Sequence, residues 1–164
     1  MIGPARAEDM PAITDIYAPL VETSVITFEI DPPDAAEMTR RWHALVDAGY
    51  DFLVAHDDDG IVQGYAYSGP FRSRAAYRYS VENSVYIHPK AQRKGRGVAL
   101  MDTLITASQA RGFAQMIAVV TDTPDTAYSL AFHDKLGFER AGTLHKAGFK
   151  FRQWLDVTFL QRPL

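Results

Sequence analysis

Val85-Tyr86-Ile87-His88-Pro89-Lys90-Ala91-Gln92-Arg93-Lys94-Gly95-Arg96-Gly97-Val98 is the stretch whose reading organises the rest of the chain. It leaves an apolar strand, passes through a turn and enters a helix expected to begin at Val98. Gly95 and Gly97 let backbone N–H groups approach an anion with no Cβ in the way. The helix adds free N–H groups and the positive end of its dipole. Together these make an anion site suited to a pyrophosphate, with Arg93, Lys94 and Arg96 placing positive charge around it. The stretch is not a dinucleotide fingerprint, because Leu100 stands where a third glycine would be. It is not a Walker A loop either, because no Gly-Lys-Ser/Thr follows. On the pattern alone, a basic surface turn before a helix is the competing reading.

Upstream, Val81–Ile87 alternates as a strand, with Val81, Asn83, Val85 and Ile87 on one side and Glu82, Ser84 and Tyr86 on the other. Before it, Phe52–Ala55 and Ile61–Ser68 flank the turn signal Asp57-Asp58-Asp59-Gly60 and predict a hairpin. Ile2–Arg6 suits a short first strand. Ile13, Ile16, Tyr17 and Leu20 recur at helical spacing, and Pro19 is expected to kink or end that helix early. Thr23–Pro33 suits a loop. Asp34 followed by Glu37 resembles a capping box opening a helix to Ala48, with Gly49 beyond its end. Downstream, Val98–Arg111 predicts a helix, Met116–Val120 a buried strand and Thr126–Leu136 a helix closed by Gly137. Gly142–Ala147 and Gln153–Gln161 complete the set as strands. The order β-α-α-β-β-β-α-β-α-β-β is that of a mixed α/β sheet flanked by helices.

The chain has 164 residues, a net charge of −3 and no cysteine. This length fits one domain, residues 1–164, which buries roughly 70% of the surface of its unfolded chain. The absence of cysteine excludes a thiol nucleophile, a cysteine-zinc site and a disulfide scaffold. No basic face suggests nucleic acid. No uncharged apolar run of membrane-spanning length occurs. Met1–Arg6 lacks the apolar stretch of a signal peptide. A cytoplasmic protein with no membrane or nucleic-acid partner is expected. His43, His56, His88 and His145 are scattered without metal-ligand spacing, and Asp57-Asp58-Asp59 is too short for a calcium loop. No metal site is expected.

Gln92-x-x-Gly95-x-Gly97 resembles the coenzyme A pyrophosphate loop of the GNAT N-acetyltransferases, whose pattern is Gln/Arg-x-x-Gly-x-Gly/Ala. Further stretches resemble the phosphinothricin acetyltransferase branch of that superfamily. They are Ile16-Tyr17, Thr27-Phe28, Pro70-Phe71-Arg72-Ser73-Arg74, Val81-Glu82-Asn83-Ser84-Val85-Tyr86-Ile87-His88-Pro89, Phe132-His133-x-x-Leu136-Gly137-Phe138, Gly142-Thr143-Leu144, Gly148-Phe149-Lys150 and Trp154-Leu155-Asp156-Val157. The similarity covers essentially the whole chain, with the motifs in order. It implies the GNAT acyl-CoA N-acyltransferase fold, a mostly antiparallel mixed sheet. It also implies a homodimer that acetylates, from acetyl-coenzyme A, the amino group of phosphinothricin, methionine sulfone or methionine sulfoximine, with herbicide or antibiotic resistance as a consequence.

The same resemblance distributes roles. Gln92, Arg93, Lys94, Gly95, Arg96, Gly97 and Val98 hold the pyrophosphate. Val85, Tyr86 and Ile87 lie along the acyl donor, and the N–H groups around Tyr86 and Ile87 hold the thioester carbonyl. Many relatives carry an asparagine near the position of Thr126, so Thr126 or Ser129 is expected to supply a hydroxyl to the cofactor instead. Glu82 is the candidate base, a carboxylate in an apolar strand whose pKa burial would raise; the alternatives are a solvated residue or a partner of Arg78. His133 occupies the place of a tyrosine that protonates the leaving thiolate. It is either that acid or a histidine packed on its helix. Arg72, Ser73 and Arg74 are candidates for gripping an acidic substrate, against a solvated basic turn. Phe28 is a candidate substrate wall, against an ordinary core aromatic. With no cysteine, transfer is direct. Rival readings are a GNAT enzyme for a polyamine, an aminoglycoside or a protein N-terminus, and a sensor that binds acetyl-coenzyme A without turnover.

Overall fold

In the computed structural model, which describes residues 1–164, seven strands form one sheet in the order β1-β2-β3-β4-β5-β7-β6. The strands are β1 Ile2–Pro4, β2 Phe52–His56, β3 Val62–Pro70, β4 Ser80–Ile87, β5 Gln115–Thr121, β6 Glu139–Lys150 and β7 Gln153–Pro163. The helices are α1 Met10–Thr23, α2 Ala35–Asp47, α3 Arg96–Ala110 and α4 Ala127–Lys135. Every neighbouring pair is antiparallel except β4 and β5. No helix is long and apolar enough to cross a membrane.

Two cores sit on the two faces of the sheet. Leu100, Met101 and Leu104 of α3 and Leu130 of α4 pack on Val81, Ala66 and Met116. Met10, Ile13, Ile16 and Val21 of α1 and Met38 of α2 pack on Phe52, Val54 and Tyr65. Burying each large apolar side chain of this kind stabilises the fold by about 1.5–3 kcal/mol. Alternation along β4 divides its side chains between the cores. Val81, Val85 and Ile87 face α3, and Tyr86 faces α1.

Four expectations need correction. Helix α1 does not stop at Pro19 but continues to Thr23. Pro19 is exposed, so the lost N–H bond falls on the solvent side, while the buried Ile16, Tyr17 and Val21 hold the other side to the sheet. Helix α3 begins at Arg96, two residues early, so Gly97 lies inside its first turn. Strand β6 is far longer than Gly142–Ala147. It is exposed along almost all its length, and its register with β7 breaks near Ala141 and across 145–147. At the second break Asp156 accepts the Lys146 N–H at 2.8 Å and His145 Nδ1 at 2.7 Å. An exposed, bulged strand leaves little alternation to detect. The capping box on α2 is half formed. Asp34 accepts the Glu37 N–H at 2.8 Å, while the Glu37 carboxylate turns to Arg40 and Arg41.

Candidate active site

Strands β4 and β5 pair only from Ser80 to Glu82 against Gln115 to Ile117. Beyond that β4 stays with β3 and β5 stays with β7, so the two part and open a wedge. The wedge holds a cavity of about 300 Å³. Its lips are Glu82–Tyr86 of β4 and Ala118–Thr121 of β5. Thr126, Ser129 and His133 close one side, and Ile26, Thr27 and Phe28 the other.

Backbone alternation decides which groups face the wedge. His88 donates its N–H to Gln63 at 2.9 Å. The β3–β4 register is unbroken from there, so Tyr86, Ser84 and Glu82 exchange backbone bonds with β3. The N–H groups of Asn83, Val85 and Ile87 therefore face the parted edge. Of the pair expected to hold a carbonyl, Ile87 is placed for it. The Tyr86 N–H is turned to Tyr65, and Val85 takes its place at the edge. The Ile87 carbonyl on that edge accepts Gln92 Nε2 at 3.4 Å.

Following β4, Gly95 adopts a φ of 77° as the N-cap of α3, a left-handed conformation that glycine takes without strain. A Cβ there would meet nothing within 4 Å. Arg93 is also left-handed, at φ 59°. The first helical bond comes from Ala99 to Gly95, so the N–H groups of Arg96, Gly97 and Val98 have no partner within the helix. Arg93, Lys94 and Gln92 are exposed and Arg96 half-buried. This cradle fits a pyrophosphate.

Glu82 is half-buried. Burial raises its carboxyl above the ordinary carboxylate range, and the charge of Arg72 pulls it part of the way back. Arg78, its possible partner, lies elsewhere, its guanidinium 4.5 Å from the centre of the Tyr79 ring. Arg72, Ser73 and Arg74 are exposed on the β3–β4 loop, outside the cavity lining.

Phe28 lines the cavity with 39% of its surface exposed, which makes it a wall rather than a core residue. Its ring lies so close to Gly148 that a Cβ there would overlap it. Its loop is held from four elements. Thr121 Oγ1 donates to Val25 O at 2.6 Å, and Lys150 Nζ to Thr27 O at 2.8 Å. Tyr17 donates to Glu29 at 2.8 Å and so receives its 2.7 Å bond from Thr27. Arg41 pairs with Glu29 at 2.7 Å. Lys150 is buried apart from this bond, and burial lowers its pKa.

On the α4 side two expectations change. The Thr126 hydroxyl is buried and bonded to Thr121 O while it accepts the Thr123 N–H at 3.0 Å, so it ties its own loop together. Ser129, half-buried, lines the cavity. His133 is 4% exposed. Its Nδ1 bonds Ser129 O at 2.8 Å, and its Nε2 lies 3.1 Å from Asn83 Nδ2. A carbonyl only accepts, so the ring proton sits on Nδ1 and Nε2 is an acceptor. Burial lowers the His133 pKa and favours the neutral ring. A neutral ring in this tautomer has no proton to give into the cavity, contrary to the role of acid. Sequence reasoning missed Asn83 and Lys150. Asn83 sits in a run read as strand packing, where a polar residue on the apolar side was the available signal, while Lys150 falls between the two strands expected last, where no signal marks it.

Residues 2–159 match the family model described as Acetyltransferase (GNAT) domain. The chain is 46% identical to a phosphinothricin N-acetyltransferase of Alcaligenes faecalis, over 97% of this chain and 80% of that one. It is 37% identical to an L-methionine sulfoximine/L-methionine sulfone acetyltransferase of Pseudomonas paraeruginosa, over 99% of this chain and 94% of that one. Among solved structures, a GNAT superfamily phosphinothricin acetyltransferase from Sinorhizobium meliloti in complex with AcCoA superposes with a TM-score of 0.94 at 44% identity. That match covers 100% of this chain and 88% of the other.

Proposed function

Because this chain belongs to the GNAT acetyltransferase family, we propose that residues 1–164 form one N-acetyltransferase domain that acetylates a small amino-acid-like amine from acetyl-coenzyme A. The substrate class is that of phosphinothricin, methionine sulfone and methionine sulfoximine, the compounds in its relatives' names. The observation that carries this reading is the parting of β4 from β5. It puts a half-buried carboxylate at the apex of a wedge, a free strand edge along one lip and an anion cradle at the end of the same strand.

The pyrophosphate of acetyl-coenzyme A lies on Gly95, Arg96, Gly97 and Val98, with Gln92, Arg93 and Lys94 around it. From Ile87, the end of β4 next to this loop, back to Glu82 is five residue steps, about 17 Å, which an extended pantetheine arm covers. The free N–H groups of Val85 and Ile87 receive it as a sheet edge receives an added strand. One of them faces the acetyl oxygen, where negative charge grows during attack. Glu82, directly or through water, takes the proton that leaves the amine as the N–C bond forms. The C–S bond breaks and releases a thiolate. A thiol of pKa near ~8.5 leaves without an acid beside it, which agrees with the neutral His133. Arg72 and Arg74 attract the acidic group of the substrate, and Phe28 walls its side chain. No step is assigned to a metal, a nucleic acid or a membrane.

The exposed Leu144, Phe149, Phe151 and Trp154 on the β6–β7 hairpin support a homodimer. Acetyl-coenzyme A is an intracellular metabolite, which supports a cytoplasmic place. Resistance to phosphinothricin is a consequence of the activity rather than its purpose.

The test is thiol release from acetyl-coenzyme A with phosphinothricin, methionine sulfone, methionine sulfoximine, spermidine and an aminoglycoside. Release with the acidic amino acids alone is expected. Release only with the polycations would overturn the substrate class. Binding of acetyl-coenzyme A without release from any amine would favour a sensor.

A further inference from the structure

Asn83 is the first residue of β4 beyond its last pair with β5, Glu82 with Ile117. Its side chain is turned away from that of Glu82 and is 93% buried, with 7% of its surface exposed. A short chain of hydrogen bonds fixes its amide. Ser129 O accepts from His133 Nδ1 at 2.8 Å, which leaves Nε2 as an acceptor. Asn83 must therefore turn its NH₂ group to Nε2, at 3.1 Å, and that group also reaches Met101 Sδ at 3.8 Å. The opposite end of the amide, Oδ1, is buried and has no donor. A buried carbonyl-type oxygen without a donor is rare and destabilising, and here it belongs to a residue that lines the wedge.

A donor arriving through the wedge removes that deficit. On the acetyl-coenzyme A reading, on which this inference rests, the groups that enter are the thioester and the secondary amides of the pantetheine arm. Asn83 is adjacent to Glu82, so it stands beside the reacting end of the arm. The amide nearest the sulfur is two methylene groups away from it and carries one N–H. We propose that Asn83 binds the acyl donor by accepting that N–H on Oδ1, and that His133 is the positioning residue that keeps Oδ1 facing the wedge. His133 thus acts through the orientation of a neighbouring amide, and the proton that Ser129 O holds on its Nδ1 is what makes Nε2 the acceptor Asn83 needs.

Calorimetry with acetyl-coenzyme A separates the outcomes. Binding to the unaltered enzyme, weakened about tenfold in Asn83→Leu, is expected. Thermal unfolding checks that the variant folds, and Asn83→Ser serves in its place if it does not. Equal affinity in unaltered and variant enzyme overturns the assignment. No binding to the unaltered enzyme overturns the acetyl-coenzyme A reading itself. Kinetics give a second readout that a merely structural role would not move. The KM for acetyl-coenzyme A rises in Asn83→Leu and His133→Phe while the KM for the amine stays put. A third comparison uses two short donors, S-acetyl-N-acetylcysteamine and its analogue with ester oxygen in place of the N–H. The unaltered enzyme is expected to prefer the amide in kcat/KM by about tenfold, and Asn83→Leu to lose that preference. A preference unchanged by the substitution sinks the proposal.

Discussion

Glu82 and Asn83 are neighbours in sequence, yet they project from opposite faces of β4 into different surroundings. Glu82 projects to the α1–α2 side with Tyr86, into the cavity that Thr27 and Phe28 also line. Asn83 projects to the α3–α4 side with Val81 and Val85, among residues that hold the domain together. On an ordinary strand the first face would be surface or core and the second would be core alone. Because β5 departs after Ile117, both faces reach the same cavity. Residues chosen for packing on one side thereby become neighbours of a reaction on the other. On the proposed reading, a parted sheet lets one strand of eight residues supply a base, a binding amide and a row of backbone donors at once.

The contrast between the faces is broken most severely at Glu82. Glu82→Gln keeps shape and removes the base, so kcat is expected to fall by about 10²- to 10⁴-fold while calorimetry shows acetyl-coenzyme A still bound. An unchanged kcat would take Glu82 out of the mechanism. The unaltered enzyme should also gain activity as pH rises through the ionisation of Glu82. Burial places that limb above the ordinary carboxylate range, and a pH profile of kcat/KM should show it vanish in the glutamine variant.

The opposite face answers first in stability. Leu100 has no exposed surface, and Leu100→Ala should cost about 2–5 kcal/mol by urea unfolding, with kcat of the remaining folded enzyme close to normal. A variant as stable as its parent would show that this core does not anchor α3 to the sheet. Arg72 lies nearer the first face and should split its effect in two. Arg72→Gln is expected to raise the KM of an acidic substrate by roughly ten- to a hundredfold. It also removes the charge that lowers the Glu82 pKa, so the acidic limb moves to higher pH. A shift to lower pH would contradict the placement of that charge.

Each of these sites was legible to a different degree. The strand-turn-helix from Val85 to Val98 was readable because glycine, cationic residues and apolar periodicity agree there. The structure changed only where the helix starts. Both buried strands of the wedge were found from alternation or an apolar run. What sequence does not carry is the partner of a strand. The parting after Glu82 depends on which neighbour β5 keeps, and β5 keeps β7, which lies more than thirty residues downstream in sequence. His133 was visible as a histidine in a relevant place, but its hydrogen-bond partner is Asn83, fifty positions away. Pro19 shows the reverse error, a strong local rule overruled by the packed side of α1. Along β6, exposure and two breaks in register erased the periodicity that would have set its ends.

The smallest effect concerns the two titrating groups on either side of β4, which burial pushes toward the same neutral state by opposite shifts. Glu82 is raised and His133 is lowered. For His133 this has a defined sign in folding. Below its unfolded pKa near ~6.5, the unfolded chain binds a proton that the folded chain resists. Protons then favour unfolding, so stability is full above that value and is lost as pH falls through the window down to the folded pKa. The slope from this one group cannot exceed about 1.4 kcal/mol per pH unit. His133→Phe removes the titration while leaving an aromatic ring against Phe138, whose own ring centre lies 5.1 Å from the imidazole. The variant is expected to start from a lower plateau, because Asn83 Nδ2 loses its acceptor, and to lose stability less steeply on acidification. Urea unfolding between pH 5 and pH 8 on both proteins measures the difference in slope. Equal slopes would mean that the ring is charged in the folded state. In that case the tautomer that orients Asn83, and with it the distinction between a positioning face and a proton-accepting face, would be lost.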